Sequence, residues 1–300
     1  MPAAERQERR NPTPTVAGRL ARWIERGRIL RARVEAAREQ HTSVDVGLDV
    51  VERDSAIGRG LLAGALAYRL FVLALPTALL LISGLGLYAA ASGKTPSEAA
   101  HDAGVHGLIA SEVASTASSG ARWLVFIVMI PAVLYATVTL YRSIAKIHAI
   151  AWHGSARRVR IPPAGVAALA GTLVLQLVAL EAVSSIRRAS AAGGIVALAG
   201  YVVVVGAAWL VVSTQLPRRD GRWTMLLPGA LLVGVGLLLV HAFNVYITTV
   251  LVESRANTYG ALGIAAALLF SLVLVGRVIV LAPQLNAALD DRRRRTPTDR

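Results

Sequence analysis

The sequence predicts an all-α fold, a polytopic membrane bundle of six transmembrane helices preceded by amphipathic helices. Three observations carry this. Apolar residues make up 55% of the 300 residues and the mean hydropathy is +0.55, yet the formal net charge is +14. Between Gly60 and Leu285 the charges sit almost entirely in a few short gaps between apolar blocks. Each block is long enough to cross roughly 30 Å of hydrocarbon at about 1.5 Å per residue. Lipid solvates such blocks, whereas a water-exposed surface built from them would aggregate.

Residues 1–17 are rich in Arg, Glu and Pro and are expected to be disordered. The first twenty residues hold no apolar run of the kind a cleavable signal peptide needs, so the segment from Leu61 is expected to act as an uncleaved anchor. Residues 18–56 read as juxtamembrane helices. Leu20, Trp23, Leu30 and Val34 recur at helical spacing among arginines, which suits a basic helix lying on an anionic membrane surface. A second short helix is expected over Val44–Asp54, with Ser43 as N-cap and Val44, Leu48 and Val51 on one face.

The membrane domain is expected over residues 57–285, with segments near 60–90, 122–142, 164–184, 194–214, 226–250 and 259–283, and a basic tail over 286–300. Pro76 and Pro131 predict irregularity in the first two segments, because proline removes a backbone donor and crowds the preceding turn. The gap Ser190–Gly194 is short and glycine-rich, so segments three and four should form a tight antiparallel hairpin. Gly60 and Gly64 form a small-xxx-small pattern compatible with close helix packing, of low specificity in a glycine-rich chain. Three helices plus three could form an inverted repeat, but the two halves show no convincing self-similarity.

Arginine and lysine set the orientation. Twenty-five lie on the side of the termini and five on the other: Lys94, Arg122, Arg187, Arg188 and Arg255. Both termini are therefore expected in the cytoplasm, with the chain multi-pass in the membrane. Tyr88, Trp123, Tyr141, Trp209, Trp223, Tyr246 and Tyr259 fall near segment ends, where an aromatic belt would place them.

Polar groups inside apolar segments are the informative ones, because lipid offers them no partner. Arg69 lies eight residues into the first helix, roughly 12 Å from its start at 1.5 Å per residue. Arg277 lies toward the same side in the sixth, followed by Gln284 and Asn286, and no acid is apparent at matching depth. These four make a candidate cavity for an anionic group such as a lipid phosphate, against the plainer reading that each arginine snorkels to the headgroups. In the outer halves, Glu181, His241 and Asn244 form a candidate polar set, with a Glu–His pair able to relay a proton. The competing reading is separate interfacial groups with water access. Gln176, near the middle of the third segment, suits an interhelical hydrogen bond.

No metal site or cofactor is expected. His101, Asp102, His106 and Glu112 share the external gap, but two histidines five apart do not stack on one helix face. The chain has no cysteine, no P-loop, no nucleophile elbow and no dinucleotide fingerprint. The basic charge follows the loops rather than forming a patch with stacking aromatics, which argues against nucleic acid as a partner and for anionic headgroups at the cytoplasmic face. Oligomeric state is left open.

Three pieces then carry a resemblance. They are Ala65-Leu-Ala-Tyr68-Arg69-Leu-Phe71 followed by Pro76, then Thr258-Tyr259-Gly260-Ala-Leu-Gly263, then Leu285-Asn286-Ala287. In this order on a six-helix plan, over about Asp45 to Arg295, the chain resembles the YihY/virulence factor BrkB family of bacterial inner-membrane proteins, closest to actinobacterial members. Where that family usually closes its sixth helix with Gly-Ala-Glu-x-Asn, this chain has Ala282-Pro283-Gln284-Leu285-Asn286. A carboxylate is lost and a proline gained. The resemblance implies a place in the bacterial plasma membrane, a role in the cell envelope and export of a lipid or envelope component. The ribonuclease BN label that members have carried is not supported, since a metal-dependent nuclease needs clustered ligands to activate water.

Three functions remain. The first is a transporter or flippase-like protein for an anionic lipid or envelope component. The second is a non-transporting scaffold that recruits envelope proteins through its basic N-terminal helix. The third, an intramembrane enzyme using Glu181 or His241, lacks a nucleophile constellation, so the chain is expected not to be an enzyme and no catalytic residue is assigned.

Overall fold

The computed structural model describes Glu25, Arg28 and residues 42–56, 58, 60–93, 95, 98, 119–155, 159–219, 222–245 and 249–295. Among these residues the chain forms seven α-helices, a short 3-10 turn and no strand. They are α1 (Thr42–Ala56), α2 (Leu61–Ser92), α3 (Ser119–His153), α4 (Pro163–Ala189), α5 (Ala191–Thr214), the turn Trp223–Leu226, α6 (Leu227–Phe243) and α7 (Thr249–Arg295). Six of them, α2 to α7, are long and apolar enough to cross a membrane. The all-α polytopic bundle expected from the sequence is the fold observed.

Residues 1–51 and 52–300 make two compact units. In the first, Val46 and Val50 of α1 are buried and Val51 is 60% exposed. Leu48 is half-buried, so the buried face runs through Val46 and Val50 rather than Leu48 and Val51, and α1 begins at Thr42, one residue before the expected cap position Ser43. Of the basic helix expected over residues 18–40 only Glu25 and Arg28 are described, both helical and exposed, and the histidines of the 99–118 segment lie outside the described residues.

In the second unit α2 packs on α3 and α7, α4 on α5, α5 on α6, and α6 on α7. Leu66, Leu140, Ile144, Leu169, Val205, Val233 and Val280 form its buried centre. The lipid-facing surfaces stay apolar, as with Leu124, Val174, Val196 and Leu239, because hydrocarbon rather than water is their solvent. The predicted α4–α5 hairpin is present. Only Ser190 separates the two helices, and its Oγ accepts from Gly193 N at 3.2 Å to cap α5.

Several expected boundaries move. α2 and α3 run unbroken through Pro76 and Pro131, since a membrane helix gains nothing from exposing backbone to lipid. α3 continues to His153, eleven residues past the expected end, because Ile144, Ala145, Ile147, His148 and Trp152 keep one face buried while Arg142 and Lys146 point out. α7 spans 47 residues, about 70 Å at 1.5 Å per residue, so it projects beyond the hydrocarbon and takes up most of the expected basic tail. α6 ends at Phe243 rather than near 250. The aromatic belt is partial. Tyr88, Trp123 and Trp223 are half exposed or more, but Tyr141 and Trp209 are buried. Tyr141 donates its hydroxyl to Gln215 O at 2.9 Å, so it serves a helix contact and not the interface.

Candidate functional site

The alternation of helix directions brings the end of α1, the starts of α2, α4 and α6 and the ends of α3, α5 and α7 to one end of the bundle. This is the arginine-rich end, called here the basic end. Its polar contacts link elements distant in sequence. Arg277 Nη1 donates to Asp54 Oδ2 at 2.7 Å. Asp291 accepts from Arg53 Nη2 and from Arg219 Nη1, each at 2.6 Å, tying α1 and the turn after α5 to α7.

Asp54 corrects the expectation that no acid meets Arg277. It is carried not by a spanning helix but by α1, which the turn at Gly58 and Gly60 delivers to the basic end. Gly60 has φ +96°, a left-handed backbone that glycine adopts without strain, and a Cβ there would lie 3.4 Å from Arg277 Nη1. The guanidinium of Arg277 is thus level with the residue preceding α2. Arg69 Cα lies nine residues beyond Gly60, about 13 Å deeper at 1.5 Å per residue. Arg277 reaches toward the basic end, where the Asp54 carboxylate holds it.

Arg69 is half-buried. Leu66 and Leu73, one turn to either side, are in the core, whereas Tyr68 is 61% exposed. The guanidinium therefore stems from the seam between core and lipid. Among the described residues it has no hydrogen-bond or ion-pair partner.

Gln284 and Asn286 are buried, at 1% and 2% exposure. Asn286 has a structural duty. Its Oδ1 accepts from Gly229 N at 2.7 Å and its Nδ2 donates to Leu226 O at 3.5 Å. Leu226, the N-cap of α6, has no side-chain acceptor, so Asn286 supplies the cap from α7. The approach requires glycine, because a Cβ on Gly229 would fall 2.7 Å from Ala282 O.

All six spanning helices meet at a central cavity of about 30 Å³, lined by Leu70, Ile144, Gln176, Trp209, Val233 and Ile279 among others. Thr172 lies on the same wall, its Oγ1 donating to Ala168 O at 2.8 Å and to Ala208 O at 3.4 Å across the α4–α5 contact. Gln176 thus belongs to the cavity wall. The space admits one or two waters and not a lipid chain.

Toward the opposite end lie the three residues of the expected outer set, Glu181, His241 and Asn244. α5 packs between α4, which carries Glu181, and α6, which carries His241. The charged neighbour that bears on His241 is Arg187. Asn244 Oδ1 accepts from Ser271 Oγ at 2.5 Å, linking α6 to α7.

Sequence reasoning missed Asp54, His148, Trp152 and Asp290, all buried. The signal for the middle two was the continuing run Ile144, His148 and Trp152 at four-residue spacing beyond Arg142. For Asp54 no local signal exists, because its partner lies 223 residues away.

No curated protein and no solved structure matches the chain. A family does: residues 56–300 match the model of the family described as virulence factor BrkB, a span that takes in all six membrane helices and the Asn286 cap, and the chain belongs to that family.

Proposed function

We propose that this membrane protein is a transporter of the flippase-like kind that moves an anionic lipid or envelope component, with Arg69 as the contact for its phosphate. The observation that carries this reading is the position of Arg69. An arginine whose Cα lies about 12 Å into a spanning helix, half-buried and without a partner among the described residues, is costly in lipid, by roughly 3 kcal/mol at mid-helix. An anionic headgroup drawn into the seam beside α2 removes that cost. Arg277, held by Asp54, and Asn286, held by Gly229, leave the anionic-ligand role expected of them to Arg69.

The central cavity is too small for such a cargo, so the route runs along the lipid-facing seam. The excess of arginine at the basic end supports placing that end in the cytoplasm of a bacterial cell, with the chain in the plasma membrane and anionic headgroups against its loops. The scaffold alternative rests on residues 18–40, of which only Glu25 and Arg28 are described, and no observation favours it.

The test is reconstitution into vesicles containing a fluorescent phosphatidylglycerol, with transbilayer exchange read by bleaching of the outer leaflet. The wild-type chain should accelerate exchange and Arg69→Ala should abolish it, at equal protein incorporation. Exchange by Arg69→Ala equal to wild type would remove Arg69 from the mechanism. Absence of any acceleration by the wild type would remove the transport reading itself.

A further inference from the structure

Near the basic end the contact between α3 and α7 carries a set of polar atoms that the contacts described above do not use. His148 is 1% exposed, Trp152 2% and Gln284 1%. Neither imidazole nitrogen of His148, nor Trp152 Nε1, nor Gln284 Oε1 has a hydrogen-bond partner among the described residues. Leaving a buried donor or acceptor unmet costs about 1–3 kcal/mol each, so these atoms call for partners.

Register places them together. Trp152 packs with Leu226 and Ala287 in one buried cluster. α3 and α7 run in the same direction and are in contact. One turn before Trp152 on α3 is His148, and one turn before Ala287 on α7 is Gln284. Both lie on the buried face of their helix, so they occupy the same level of the same seam.

The chemistry of the set is balanced. A neutral imidazole brings one N–H and one bare nitrogen, the indole brings a second N–H, and the amide oxygen a second acceptor. Two donors and two acceptors are the complement of water. The two imidazole nitrogens point to opposite sides of the ring, so a single water cannot serve both. A metal ion does not suit the set, because the indole offers a proton and no lone pair.

We propose that His148, Trp152 and Gln284 form an internal hydration site, holding at least two ordered waters in the seam between α3 and α7 beneath the basic end. The site makes this seam a wet part of an otherwise apolar bundle. It is independent of Arg69 and of whether the protein transports lipid.

Hydroxyl-radical footprinting of the wild-type protein in lipid nanodiscs tests this, because a pulse of X-rays generates radicals from internal waters beside the side chains they touch. Tyr141 is the internal reference, being 0% exposed with its hydroxyl bonded to Gln215 O. Trp152 should be oxidised several-fold faster than Tyr141 despite equivalent burial. Equal, slow oxidation of both would overturn the proposal. Gln284→Leu, which removes one acceptor, should lower the Trp152 rate toward that of Tyr141, and an unchanged rate in that folded variant would remove Gln284 from the site.

Discussion

Arg277 donates to Asp54 across 223 residues of sequence, at 2.7 Å, and so fastens the helix before the membrane domain to the last spanning helix. The adjacent Arg53 bonds Asp291 on the same helix. Residues 277 and 291 are fourteen apart, about 21 Å along α7 at 1.5 Å per residue, yet their partners are consecutive. The long arginine side chains cover the difference, one reaching from α1 and the other from α7. The basic end is thus held by opposite charges set in reverse order on two helices.

Exchanging the charges tests the pairing. Asp54→Arg alone should destabilise by placing two guanidinium groups together, and Arg277→Asp alone should do the same with acids. The double exchange should recover most of the loss. The Arg277 side chain is 39% exposed, so the pair itself is expected to contribute only about 1 kcal/mol. Thermal unfolding in detergent, followed by loss of monodisperse protein, measures each variant. Additive destabilisation in the double variant would show that the two side chains act separately.

Asn286 acts as a cap supplied by a neighbouring helix, and its removal should be felt at the start of α6. Asn286→Ala leaves Gly229 N and Leu226 O without their side-chain partner in a buried position, which costs about 1–3 kcal/mol. Asn286→Asp keeps the acceptor for Gly229 N but loses the donor to Leu226 O, and should fall between wild type and alanine. Hydrogen–deuterium exchange over residues 226–232 is the local readout. Faster exchange there, with the rest of α6 unchanged, is the expected pattern.

Tyr141 offers a similar test at the end of α5. Tyr141→Phe removes the 2.9 Å hydrogen bond to Gln215 O and keeps the ring against Gly165. The loss should be about 1 kcal/mol, near the net worth of one hydrogen bond. Gly165→Ala should cost more, because an added Cβ collides with that ring. A thermal scan ranking Gly165→Ala below Tyr141→Phe agrees with this arrangement, and the reverse order contradicts it.

The fold was legible because lipid imposes a simple rule, apolar blocks with charges between them, and Leu61 to Arg294 obey it. The helix ends were less legible. His148 and Trp152 extend α3 by burying one face after the charged Arg142, a pattern that composition averages out. Within the candidate site, Arg69 and Arg277 looked alike in sequence, both arginines toward the same end of apolar helices. They differ only through Asp54, and a contact between residues 54 and 277 has no local trace. Asn286 was read as a ligand-facing polar group for the same reason, since its partner Gly229 gives no sign that its N–H needs an acceptor.

The two glycines of the Gly60-x-x-x-Gly64 pattern separate sharply from the glycine that closes the α2–α7 contact. A Cβ at Gly64 meets nothing within 4 Å, so Gly64→Ala should be neutral or stabilise slightly by favouring helix. Gly60 is needed for its φ of +96° and not for packing against another helix. Gly276 is the close contact. A Cβ there would sit 2.6 Å from the backbone oxygen of Ala63, which cannot swing away as a side chain could. Gly276→Ala should therefore push α2 from α7 and destabilise by about 1–3 kcal/mol, the range for overpacking, and Gly276→Leu by more. The shift should also lengthen the reach from Arg277 to Asp54, one residue further along α7. Comparing melting temperatures of the Gly64 and Gly276 alanine variants decides the point: equal values would mean that the small residue at 276 does not set the distance between the two helices.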